Sequence, residues 1–150
     1  MDIVDKHTRS RMMSGIRCKN TKPELLIRSS LHKLGLRYRL HVSGLTGKPD
    51  LVFPQYRAVI FIHGCFWHGH SCHLFKLPTT RQDFWSNKIN QNKTRDTLNQ
   101  TNLHNLGWRV GIIWECAVRG SGKDISSICN RVTGWLKSDN KSLVETGSKL

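Results

Sequence analysis

Apolar and polar positions along this 150-residue chain alternate between two periods. From Thr21 the period is helical: a capping threonine, Pro23 in the first turn and Glu24 three residues after the cap precede Ile27, Leu31 and Leu34 on one face, with Gly35 as the stop. Leu36, Tyr38 and Leu40 then alternate with Arg37, Arg39 and His41, the pattern of a half-buried strand. A glycine-bearing turn over 43–48 leads to a second strand at 49–53, and residues 58–62, apolar throughout and β-branched, read as a central strand covered on both faces. Thr80, with Asp83 three residues on, opens a long polar segment to Leu106 that Gly107 ends, which predicts a helix. Residues 108–114 form another buried strand, and Ile125, Ile128, Cys129, Val132, Trp135 and Leu136 recur at helical spacing, as in a helix that covers a sheet. The order α-β-β-β-α-β-α, without internal repeats, predicts an α/β domain over 21–137: a mixed sheet flanked by helices. Residues 1–20 read as a basic arm and the polar stretch 138–150 as a flexible tail.

Charge narrows the class. Twenty-four Lys and Arg against ten Asp and Glu give a net +14, a field that attracts polyanions by displacing their counterions. Nucleic acid is therefore the expected partner, with Lys6, Arg9, Arg11 and Arg17 of the arm as phosphate contacts. No window approaches the roughly 18 apolar residues of a membrane span, and the N-terminus carries no apolar export signal. Five cysteines is an odd count, and two of them lie among histidines, which suits thiolate metal ligands in a reducing cytoplasm better than disulfides.

The densest chemical signal is His63-Gly64-Cys65-Phe66-Trp67-His68-Gly69-His70-Ser71-Cys72-His73, in which six of eleven residues bind metals. Zinc prefers thiolate and imidazole in a tetrahedron, and Cys65, His70 and Cys72, with Cys116 after a later strand, make a closed structural Zn²⁺ site, for which His68 and His73 compete as ligands. Asp50, beside the central strand, is a candidate Mg²⁺ ligand, since that ion takes hard oxygen donors and shares them with a phosphate. Glu24, Asp96 and Glu115 are the other acids in reach of such a role, and His63 and His68 are the candidates for proton transfer. Phe66, Trp67 and Trp85 lie in polar, basic segments, where aromatic side chains either wedge between base steps or close a small core around zinc.

The runs PDLVF, AVIFIHGCFWHGHSCHLFKLPTTRQDFW, NKTRD and GWRVGIIWECAVRG resemble the very-short-patch repair (Vsr) DNA mismatch endonucleases over about residues 5–135. The resemblance implies a restriction-endonuclease-like fold that nicks DNA 5′ to the thymine of T:G mispairs arising from deaminated 5-methylcytosine. It implies Asp50 as Mg²⁺ ligand, joined by the backbone carbonyl of Ile62; His68 as catalytic base or acid; His63 with Asp96 as a supporting pair; and Glu24 assisting from the first helix. It likewise implies zinc on Cys65, His70, Cys72 and Cys116, and Phe66, Trp67, Trp85 and Met13 as intercalating side chains. A monomer in the bacterial cytoplasm, coupled in function to a DNA cytosine methyltransferase and to mismatch-repair proteins, completes that expectation. One position departs from the family pattern: Ile62 stands where the family also has threonine, so only a backbone group can serve there. A double-strand restriction nuclease and a non-catalytic zinc DNA-binding module are the rival readings.

Overall fold

A computed structural model describes residues 21–119 and 123–147 of the chain. The arm residues Lys6, Arg9, Arg11, Met13 and Arg17 lie outside them. Helix α1 (Lys22–Lys33) begins where the sequence places it: Thr21 caps it by accepting from the Glu24 N–H, and Ile27 and Leu31 are fully buried. Leu34 is half exposed, so the apolar face stops one turn early. Leu36 and Tyr38 fold back toward α1, where the Tyr38 hydroxyl donates to the Arg28 carbonyl, and the predicted strand shrinks to β1 (Arg39–Leu40). His41, at φ 51°, ends it.

β2 (Leu51–Phe53) and β3 (Ala58–His63) form an antiparallel pair through a single 3-10 turn at Pro54–Tyr56, and β4 (Arg109–Trp114) lies parallel to β3. Between them runs α2 (Gln82–Asn105); after β4 come a short α3 (Glu115–Val118) and α4 (Ile125–Leu136). Thr80 does not cap α2, because Arg81 takes a left-handed φ of 56° and its guanidinium lies over the Phe84 ring. The expected flexible tail needs a larger correction: Ser142–Glu145 is a fifth strand, β5, parallel to β4, which completes a sheet of order β1-β2-β3-β4-β5. Bidentate pairing of Arg131 on α4 with Glu145 anchors it.

Strand alternation sorts the side chains to two layers. Ile60, Ile113, Leu51 and Phe53 pack with α1 and α4, whereas Val59, Phe61, Val110 and Ile112 pack with Leu103 of α2. β3 is central and buried on both faces, as its apolar run predicts. The same alternation delivers His63, two residues beyond Phe61, to the layer that α2 covers. No described helix is long and apolar enough to cross a membrane.

Arg109 at the start of β4 donates to the carbonyls of Tyr56, Trp135, Leu136 and Asn140 and stacks on the Trp135 ring. It satisfies the end of α4, whose last carbonyls have no partner within the helix. Arg109→Ala should therefore destabilise the fold by roughly 2–4 kcal/mol, read in urea unfolding as a lower midpoint at unchanged slope. Arg109→Lys should recover little of it, because an ammonium cannot reproduce the fork.

Candidate active site and metal cluster

β3 ends in a tight loop closed by backbone bonds from His68 N to the Gly64 carbonyl, Gly69 N to Phe66 and His70 N to Cys65. Gly69 sits at φ 64°, and a Cβ there would lie 2.7 Å from the Lys93 side chain and 2.8 Å from that of Ile89, so only glycine lets the loop lie this close to α2. The helix meets it with one face: Ile89, Asn92, Asp96, Asn99 and Leu103 follow at spacings of three and four. Asn92 Nδ2 donates to the Trp67 carbonyl at 2.9 Å. That face is largely polar because it serves a site, which explains why α2 lacks an apolar stripe.

Asp96 pairs with His68, its Oδ2 2.5 Å from His68 Nδ1. This corrects the expected His63–Asp96 pair. His63 is buried beneath, its ring stacked on His68 with centroids 3.8 Å apart, and its Nδ1 has no hydrogen-bond partner among the described residues. Burial, reinforced by His68, pushes the His63 pKa down to about 3, so this imidazole is neutral. Accepting from Nδ1–H, the Asp96 carboxylate leaves His68 with Nε2 as its proton acceptor.

Asp50 lines the same cleft, of about 590 Å³, with Ile62, His63, His68 and Asp96; Lys48 and Arg95 bring positive charge to it. β2 is too short to pair with the end of β3, and the Asp50 carboxylate takes the place of a strand there, accepting from the Ile62 N–H at 2.7 Å. The N–H and C=O of one strand residue point to the same edge, so the Ile62 carbonyl faces that side too. Burial, with the Glu24 carboxylate beside it, pushes the Asp50 pKa up to about 7 against the pull of the Ile62 N–H. Glu24 is only 1% exposed and engages Arg28 at 2.8 Å and His41 at 3.2 Å. One ligand atom each from Glu24, His41 and Asp50 falls within 4.8 Å of the others. Two carboxylates this close, one buried and one half-buried, favour a cation, and an oxygen-rich donor set fits Mg²⁺. Sequence reasoning missed His41, whose place in a strand pattern hid it; its positive φ, the visible sign of strain, belongs to structure alone.

A second cluster holds Cys65, His70, Cys72 and Cys116, whose ligand atoms all lie within 4.8 Å of one another. His70 Nδ1 and Cys116 Sγ are 3.5 Å apart, matching the edge of roughly 3.5 Å in a zinc tetrahedron with bonds of about 2.0 Å to nitrogen and 2.3 Å to sulfur. The geometry fits zinc. Burial pushes the Cys65 thiol up and the His70 imidazole down; for Cys116, burial is outweighed by bonds from Thr146 and the Gly147 N–H, which hold the thiol below its ordinary value. Glu115 serves neither cluster as a ligand: its Oε1 accepts from the Cys65 N–H at 3.3 Å and braces the loop. Trp114, expected in the core, is half-buried and stacks on His70 at 4.1 Å and edge-on to His63 at 5.1 Å, so one ring joins the metal cluster to the histidine pair.

Phe66, Trp67 and Trp85 form one half-buried cluster with centroids 5.1–5.9 Å apart. Phe66 and Trp67 also line a second cleft that shares Ile62, His63 and His68 with the first. The aromatic group therefore adjoins the candidate catalytic groups.

A family model described as DNA mismatch endonuclease Vsr matches residues 1–74. The DNA mismatch endonuclease Vsr of Escherichia coli is 44% identical over 142 residues, covering 94% of this chain and 91% of its own. The type II nicking enzyme V.XorIIP of Xanthomonas oryzae is 46% identical over 121 residues, covering 81% and 89%. The type II nicking enzyme V.NmeAIP of Neisseria meningitidis is 45% identical over 118 residues, covering 79% and 84%.

Proposed function

Because this chain belongs to the Vsr family of DNA mismatch endonucleases and is a nuclease acting on DNA, we propose that it nicks duplex DNA 5′ to the thymine of a T:G mispair. It thereby starts very short patch repair of deaminated 5-methylcytosine, within a restriction-endonuclease-like fold. The observation that carries this reading is the meeting of Asp50, the Ile62 edge and the His68–Asp96 pair in one cleft beside an aromatic cluster.

In this mechanism Asp50 and the Ile62 carbonyl would hold Mg²⁺, with Glu24 beside them. When bound, the ion polarises the scissile phosphate and steadies charge on the leaving oxygen. His68, oriented by Asp96, takes a proton from the attacking water at Nε2, and neutral His63 supports its ring by stacking. Lys48 and Arg95 hold the phosphate backbone in the cleft. Phe66, Trp67 and Trp85 enter the duplex at the mispair, where the base step is weakly stacked, with Met13 and the basic arm on the far side. Cys65, His70, Cys72 and Cys116 would hold zinc, which would fix the loop that carries both His68 and the aromatic wedge. The protein works as a monomer in the bacterial cytoplasm, coupled to a cytosine methyltransferase and to mismatch-repair proteins.

Base stacking contributes about 1–3 kcal/mol per aromatic side chain, so Phe66→Ala and Trp67→Ala should each lower kcat/KM on T:G duplexes about 5- to 150-fold. Single-turnover nicking with circular dichroism as the folding control checks this. Unchanged nicking of the mispair by both variants would sink the account of recognition.

A further inference from the structure

β5 does not stop at the sheet. Beyond Glu145, Thr146 and Gly147 pass directly over the Cys/His cluster, in a stretch that composition alone marks as tail. Thr146 Oγ1 lies 3.2 Å from His70 Nε2 and 3.5 Å from Cys116 Sγ, and the Gly147 N–H donates to the same sulfur at 3.3 Å. A Cβ on Gly147 would stand 2.2 Å from the Cys116 carbonyl oxygen, which leaves no room for any other residue at this distance.

From this geometry we infer that Thr146 and Gly147 are positioning residues that close the zinc site from the C-terminal strand, by bridging His70 to Cys116 and holding the Cys116 thiolate. The inference rests on the zinc reading of the cluster and extends it. The directions of the bonds agree with one protonation state. His70 faces the cluster with Nδ1, so Nε2 carries the proton and donates to Thr146 Oγ1. The Thr146 hydroxyl then has its own proton for Cys116 Sγ, which receives a second bond from Gly147. One hydroxyl thus fixes the imidazole orientation and satisfies a thiolate. Because Arg131 grips Glu145 with contacts of 2.6–3.0 Å, the bridge is held by α4 as well as by the sheet. Zinc would then tie together three separate segments: the loop after β3, the start of α3 and the end of β5.

The test is zinc release from the full-length protein to a chromogenic chelator, together with the thiolate-to-metal absorption of the cobalt-substituted form. Valine matches threonine in shape without its hydroxyl, so Thr146→Val should release zinc roughly 10- to 100-fold faster and shift the cobalt band. Thr146→Ser should restore both. Gly147→Ala should also speed release, and it carries the test should Thr146→Val lose its parental circular dichroism. Parental release rates and an unchanged cobalt spectrum in Thr146→Val and Gly147→Ala would overturn the inference. A parent protein that holds no zinc would overturn the zinc reading itself, a result separable from the first by metal analysis before any substitution.

Discussion

Asp50→Asn protein should bind duplex DNA as the parent does and nick it at least a thousandfold more slowly. The ion that Asp50 would hold supplies several kcal/mol of charge stabilisation in the transition state, and about 4 kcal/mol corresponds to that factor. Asparagine keeps the shape of the side chain and removes the charge. The same substitution has a second signature, in stability without Mg²⁺. Burial and Glu24 raise the Asp50 pKa from an ordinary value near 4 in the unfolded chain to about 7 in the fold. The stability that the protonated acid contributes is therefore present in full below pH 4 and is lost as pH rises through 7. Asparagine mimics the protonated acid at every pH. Asp50→Asn should melt near the parent at pH 4, progressively above it between pH 4 and 7, and by a constant margin beyond. A residue that stabilises the protein when neutralised and stops the reaction marks a site kept for function. Equal nicking by Asp50→Asn, or a melting gap independent of pH, would contradict this.

The second large effect belongs to Cys65, which is fully buried at the start of the loop that carries the Cys/His cluster. Cys65→Ala should purify without zinc and melt about 10–20 °C lower, since removing a structural zinc ligand withdraws several kcal/mol of folding energy. Nicking should fall with it, because His68, Phe66 and Trp67 lie on the loop so released. Cys129, equally buried but packed in the α1–α4 core, serves as the control. Cys129→Ala should keep its zinc and lose about 1 kcal/mol. Scanning calorimetry with metal analysis reads both, and a Cys65→Ala protein that retains zinc and the parental melting temperature would dismiss the structural role.

How much of this was legible beforehand depended on the range of the interaction. Elements set by local chemistry were readable: the Thr21 cap, the β-branched run of β3 and the helical spacing of α4 each follow from neighbours a few residues apart. The Cys/His cluster was readable too, because three of its four members crowd into eight residues and chemistry restricts what such a cluster binds. The partner of Asp96 was not. His63 and His68 are five residues apart, and the choice between them depends on how the loop lies against a helix that starts 14 residues later. β5 was hidden because Ser142 and Val144 of an edge strand are exposed, so its composition resembles a tail, and only pairing with β4 makes it a strand. Leu40 misled in the opposite sense: its alternation was real, yet β1 lies at the sheet edge and the side chain is exposed.

Strand-specific nicking of T:G and T:A duplexes in Mg²⁺, across a panel of flanking sequences, tests the central claim most directly, with the Asp50→Asn protein alongside. The account predicts one nick, 5′ to the mispaired thymine, in the T:G duplexes alone, and none with the variant. Cutting of T:A duplexes at the same rate, breaks in both strands, or DNA binding with no cutting in any context would contradict it.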